Sequence, residues 1–203
     1  RELAEYAASK DVGLLAWYNS SGDWNETDYH PKSRLLTHEA RVREFRRLNA
    51  IGVRGIKVDF FAGDGSSMIR YYIDILEDAA DHQLLVNFHG ATIPRGLQRT
   101  YPNLMTVEAV RGFEFLTFFQ ESTDLEASHA AVLPFTRNAF DPMDFTPMVL
   151  DRIPDRARKT SNGFQLVTVV TVSPSASILV SPKLTFSLPT WVVTVTFLRS
   201  ALV

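Results

Sequence analysis

Four short β-prone runs in this chain each end on a residue able to do chemistry, and helical patterns lie between them. Leu14-Leu15-Ala16-Trp17-Tyr18 runs into Asn19, Ile56-Lys57-Val58 into Asp59, Leu84-Leu85-Val86-Asn87-Phe88 into His89, and Leu104-Met105-Thr106-Val107 into Glu108. Strands separated by helices pair in parallel, because each helix carries the chain back to the starting edge of the sheet. Their C-terminal ends then share one rim, which is where (β/α) barrels keep their catalytic residues. The pattern therefore predicts an α/β enzyme of the barrel type.

Composition narrows the partners. The chain has 203 residues, 45% apolar and 22% charged, with 21 basic against 23 acidic side chains and a formal charge of -2. One core of barrel or open-sheet size is within reach of such a chain. No basic stripe points to nucleic acid, and no run approaches the roughly 18 apolar residues of a membrane span, so a small neutral substrate fits better. The absence of cysteine excludes disulfides and thiolate catalysis without fixing the compartment. A helix is expected over Arg1–Lys10, so any signal peptide would lie upstream.

After the first strand, the Ser-, Gly-, Asp- and Asn-rich stretch from Asn19 to Ser33 reads as a long loop able to overhang a pocket. Val42, Phe45, Leu48 and Ile51 recur at helical spacing, and Gly52 is placed to end that helix. The strand Gly55–Phe61 follows. Ser66 can cap the next helix, whose Ile69, Tyr72, Ile73, Leu76 and Ala80 form a core stripe opposite Asp74, Glu77 and Asp78. Only a short helical piece around Leu97–Thr100 fits between His89 and Glu108. Beyond Glu114 the sequence turns aromatic, and the prolines of Leu133-Pro134-Phe135-Thr136-Arg137 and of 141–147 predict an ordered loop on the rim. After Asp155 no acidic residue remains; propensity places strands at Val167–Val172, Ile178–Val180 and Trp191–Leu198.

Lys57 and Asp59 stand two apart on one strand, hence on one face, where the ammonium can hold the carboxylate ionised. An ionised aspartate suits a nucleophile, and a structural ion pair inside a barrel is the alternative. Glu108 and Glu114 flank the Arg111-Gly112 turn and supply further acids, one suited to proton transfer and another to a metal. Paired carboxyl groups are the equipment of glycoside hydrolysis, with a separation of about 5 Å allowing direct attack and a wider gap admitting water. His89 is either a hydrogen-bonded core residue or, from its place at a strand end, a functional one. Asn19, Glu108 and Glu114 offer the oxygen donors that calcium prefers, and no closely spaced His or Cys set suggests zinc.

The stretches 52–61, 87–91, 96–108 and 142–147, including Gly55-Ile56-Lys57-Val58-Asp59-Phe60, Asn87-Phe88-His89-Gly90 and Pro142-Met143-Asp144-Phe145-Thr146-Pro147, closely resemble the catalytic barrel of glycoside hydrolase family 97. The resemblance covers about residues 1–160. It implies calcium-dependent, exo-acting α-glycosidases built from an N-terminal β-sandwich, a (β/α)8 TIM-type barrel and a small C-terminal β-domain. It also implies a retaining branch with an aspartate nucleophile where this chain has Asp59. The inverting branch places a base glutamate where this chain has Gly90.

By the same carry-over Glu114 is expected to be the acid/base, Glu108 and Glu114 with Asn19 to bind calcium, and Lys57 and His89 to contact the substrate, a small oligosaccharide or other α-glycoside. The expected fold is an incomplete (β/α)8 barrel of about strands 3 to 8 over 1–160, with an atypical β-rich tail over 161–203 serving as barrel closure or a diverged segment. The β-sandwich is expected to be required, and a periplasmic or secreted location is implied. The leading expectation is a retaining α-galactosidase. An α-glucosidase of the same family, a catalytically inactive sugar-binding or structural remnant, and a metal-dependent hydrolase of non-sugar substrates are the alternatives.

Overall fold

The computed structural model describes residues 1–118, 120–139, 141–146, 166–170 and 191–196. Helix α1 (Glu2–Ser9) leads into strand β1 (Val12–Asn19). Helix α2 (His38–Ala50), β2 (Gly55–Asp59), α3 (Ser66–Asp81), β3 (Leu85–Phe88), the single turn α4 (Leu97–Thr100) and β4 (Leu104–Val107) follow. Strands β1 to β4 pair in parallel and in sequence order, and a parallel bridge between Val107 and Met143 continues the arc beyond β4. Two further strands, β5 (Leu166–Val170) and β6 (Trp191–Thr196), give the order β4-β3-β2-β1-β6-β5. β6 is parallel to β1, whereas β5 is antiparallel to β6, a pairing foreign to an all-parallel barrel. The expected strand Ile178–Val180 lies outside the described residues.

Register sorts the side chains into two faces. Ala16, Ile56, Val86 and Leu104 form one cross-strand row and Tyr18, Val58, Phe88 and Val107 another. Both rows join the apolar core with Phe45 and Leu48 of α2 and Tyr72, Ile75, Leu76 and Ala79 of α3. Residues between these positions point to the other face. There Trp17, Lys57, Asn87 and Thr106 are cross-strand neighbours, brought into line by a register shift at Val86/Asn87. Such irregularities gather near active sites, where they re-aim side chains. One face is thus greasy and covered by helices, and the other is polar yet still buried.

Several expectations are corrected. The strand expected to run to Phe61 stops at Asp59, because Phe60 takes a φ of +65° and leaves the extended region. Ser66 does not cap α3: Gly65 holds the cap position with no side-chain bond, and Ser66 is the first helical residue. Asp78, expected on the solvent side of α3, is buried. Its carboxylate takes Arg41 Nε at 2.6 Å and His38 Nδ1 at 2.8 Å, tying α3 to α2. On α2, Arg41 and Glu44 likewise join Phe45 and Leu48 on the buried face, with Tyr18 Oη donating to Glu44 at 2.6 Å. Asp78, Arg41 and Glu44 are inside because each found an ionic or hydrogen-bonding partner. The segment after Glu114 is not all loop: a 3-10 turn (Phe113–Thr117) and helix α5 (Gln120–Val132) precede the 3-10 turns Leu133–Phe135 and Arg137–Ala139.

Candidate active site

The polar face ends at the rim in a second layer of side chains. Asp59 closes β2 opposite Asn19 of β1, and His89 and Glu108 follow immediately on β3 and β4. His89 N donates to Val58 O at 2.8 Å and Glu108 N to Phe88 O at 2.9 Å, so both residues extend their strands' pairing by one step.

Asp59 is held from both oxygens. Phe60 N donates to Oδ1 at 2.8 Å, Trp17 Nε1 to Oδ2 at 3.3 Å, and Lys57 Nζ stands 3.8 Å from Oδ2. The Lys57 side chain is only 1% exposed and the Asp59 side chain 18%, so the cation is sealed beneath a carboxylate that still reaches the mouth. Gly90 packs against the same group: a Cβ there would lie 3.1 Å from Asp59 Oδ1 and 3.0 Å from Phe60 N. Glu108 Oε2 accepts Gly90 N at 3.0 Å and lies 3.6 Å from His89 Nδ1.

Glu114, in the 3-10 turn, reaches this group from outside the sheet. Burial pushes its pKa above the ordinary glutamate value, and the negative charges of Glu108 and Asp59 add to that, against the lowering effect of Lys57 and His89. A ligand atom from each of His89, Glu108 and Glu114 lies within 4.8 Å of the others. Two carboxylates repelling each other at that range suit a hard, oxygen-seeking cation such as calcium. The Asn19 amide is engaged in its own loop: Oδ1 accepts Ser21 N at 2.9 Å, and Nδ2 donates to Tyr29 O at 3.1 Å and Thr27 Oγ1 at 3.3 Å. The structure therefore draws Lys57, Asp59, His89, Glu108 and Glu114 together and turns the Asn19 amide toward the β1–α2 loop.

Four residues of the site were not singled out from sequence. Trp17 and Asn87 carried a signal that went unused, since strand alternation places them on the face of Asn19 and His89. Asp144 and Thr146 lie in the 141–147 stretch that the sequence places on the rim, but nothing in the local pattern pairs them with His89 or Glu114. Asp144 is buried, and hydrogen bonds from His89 and Asn87 hold its pKa below the ordinary aspartate value against the opposing effect of burial.

The chain matches the family profile described as glycoside hydrolase 97 over residues 1–110. It is 38% identical over 165 residues to a probable retaining alpha-galactosidase of Streptomyces bingchenggensis, covering 81% of this chain and 23% of that protein. It is 34% identical over 146 residues to a retaining alpha-galactosidase of Bacteroides thetaiotaomicron, covering 72% of this chain and 20% of that protein. Among solved structures, a beta-arabinopyranosidase superposes with a TM-score of 0.71 at 45% identity, over 77% of this chain and 25% of that one. A glycoside hydrolase family 97 enzyme from Pseudoalteromonas sp. strain K8 in complex with panose superposes at 0.55 with 25% identity, over 74% of this chain and 24% of that one. The chain thus spans less than a quarter of the length of the curated relatives it matches.

Proposed function

The chain belongs to glycoside hydrolase family 97, and from that premise we propose that it carries the nucleophile and the acid/base of a retaining α-glycosidase, most closely an α-galactosidase, within an arc of a (β/α)8 barrel. The carrying observation is the contrast between two carboxyl groups at one rim. Asp59 is clasped by Trp17, Phe60 and Lys57, while burial pushes Glu114 towards its protonated form. Glycosidases assign their two roles through such a division.

In this reading Asp59 attacks the anomeric carbon as Glu114 gives its proton to the departing glycosidic oxygen. A glycosyl ester on Asp59 results. Glu114, now ionised, takes a proton from water, and the water oxygen displaces Asp59, so two inversions leave the configuration retained. The two hydrogen bonds on Asp59 fix the direction of attack, and Lys57 supplies positive charge close to it. Glu108 and Glu114 are the residues that would hold calcium, whose charge, when bound, would polarise the substrate and order the rim. Lys57 and His89, both almost fully buried, are proposed to back the substrate's place at the mouth from beneath Asp59 and Glu108, and an oligosaccharide or other α-glycoside is the proposed substrate.

A pentopyranosidase is the second reading, favoured by the 45% identity to the beta-arabinopyranosidase. A β-L-arabinopyranoside has the ring stereochemistry of an α-D-galactoside without its hydroxymethyl group, so the same Asp59 and Glu114 would serve. A proton NMR time course on aryl α-galactoside, α-glucoside and β-L-arabinopyranoside with calcium tests both readings. Retained sugar released first, with Asp59→Asn and Glu114→Gln strongly slowed, is the expected result. Inverted sugar first overturns Asp59 as the nucleophile, and undiminished turnover in Asp59→Asn overturns the site.

A further inference from the structure

The segment 141–146 returns to the rim after α5 and touches the site at two points. The Val107–Met143 bridge lays it beside the end of β4. Asp144 then receives three hydrogen bonds. Asn87 Nδ2 reaches Oδ2 at 3.0 Å, His89 Nε2 reaches the same oxygen at 2.6 Å, and Thr146 N reaches Oδ1 at 2.9 Å. A carboxylate ringed by donors acts only as an acceptor, so the proton shared with His89 belongs on Nε2. The other ring nitrogen, Nδ1, is then the one turned towards Glu108, 3.6 Å from Oε2.

The second point lies two residues on. Thr146 Oγ1 accepts the backbone N–H of Glu114 at 3.1 Å, and Phe145 O accepts that of Phe113 at 2.7 Å. Thr146 is fully buried at a φ of +49°, a strained region that β-branched residues rarely enter. Gly112 permits the approach, since a Cβ there would fall 2.5 Å from Thr146 Oγ1 and 2.8 Å from Phe145 O. Strain of this kind persists only where several contacts over-determine it, and here the two hydrogen bonds of Thr146 lead to Glu114 and Asp144.

We infer that 141–146 is a two-point brace of the rim, in which Asp144 is a positioning residue holding His89 as its Nε2–H tautomer with Nδ1 facing Glu108, and Thr146 seats the backbone of Glu114. The Thr146 half rests on the reading of Glu114 as acid/base, and the Asp144 half stands on the hydrogen bonds alone. An Asp–His pair of this form fixes both the orientation and the tautomer of an imidazole.

The test is nitrogen-15 NMR of the full chain labelled at histidine, at a pH where the His89 ring is neutral, run beside steady-state kinetics. The wild type is expected to show His89 with a protonated, slowly exchanging Nε2 and a bare Nδ1. Asp144→Asn replaces one acceptor with a donor, so it is expected to populate the Nδ1–H tautomer and to lower kcat about 10- to 100-fold, with KM moving less. Thr146→Val is expected to lower kcat while leaving the His89 spectrum unchanged, and Thr146→Ser to restore the rate.

A wild-type His89 protonated on Nδ1 overturns the Asp144 half without any variant, as does a folded Asp144→Asn chain with unchanged His89 signals. Thr146→Val with wild-type kcat overturns the Thr146 half. The expected wild-type spectrum in a chain that hydrolyses no glycoside supports the Asp144 half while counting against the Glu114 reading.

Discussion

Asp59 and Glu114 are both carboxylic acids at one rim, and their surroundings give them opposite tasks. Substituting either one removes a step rather than weakening it, so Asp59→Asn and Glu114→Gln are each expected to lower kcat by about 100- to 10,000-fold in assays on aryl glycosides. In calcium-free protein the raised pKa of Glu114 sets the pH dependence, and bound calcium, favouring the anion, would move it down. As an acid, Glu114 works only while protonated, so kcat is expected to fall as pH rises through its folded-state pKa, above the ordinary glutamate range. The stability sign agrees. A carboxyl whose pKa is higher folded than unfolded favours folding below its unfolded value, and this contribution is lost as pH rises through the folded one. A pH–rate profile whose alkaline limb stays put in Glu114→Gln would remove Glu114 from the acid role. These partners were only partly legible in sequence. Lys57 could be tied to Asp59 by their spacing of two, whereas Asp144 lies 55 positions from His89 and only folding brings its carboxylate to that ring.

At the scale of elements, buried ionic staples hold the site's supports. Arg137 is buried in the 3-10 turn Arg137–Ala139 and donates to the carbonyls of Val107 at 2.7 Å, Asp141 at 3.0 Å, Glu108 at 3.3 Å and Ala109 at 3.3 Å. One guanidinium thus fastens the end of β4 to the brace. Lysine cannot reproduce that fork, so Arg137→Lys is expected to cost about 1–3 kcal/mol in urea unfolding, as buried carbonyls lose their donors. On the helical side, Asp78→Ala leaves Arg41 buried without its partner and is expected to cost about 3–5 kcal/mol by the same measurement. The periodicity of α2 and α3 was readable because apolar residues recur at helical spacing. Which charged residues join them was not, since Arg41 and Asp78 look solvent-facing until two helices are packed together.

For the whole molecule, the described sheet is an open arc with one apolar face under helices and one polar face ending in the site. A cation held between Glu108 and Glu114 binds the folded arrangement alone, so calcium at about 100 times its dissociation constant is expected to add roughly 2.7 kcal/mol of stability. The melting temperature should rise with calcium in the wild type and stay flat in Glu108→Gln; an equal rise in both would remove Glu108 as a ligand. The amino-acid sequence by itself determined the parallel α/β plan, because strand and helix periods alternate and each strand run stops at a polar residue. It also determined which residues gather at the rim from the strands, since alternation along β2 and β3 allows Asp59 and His89 only one face. Tertiary structure alone decided how those residues are tuned. The register shift that aligns Thr106 with Asn87, the burial that raises Glu114, and the meeting of Asp144 with His89 are all contacts between segments distant in the chain. Local patterns carry no information about such contacts, because long-range packing sets them.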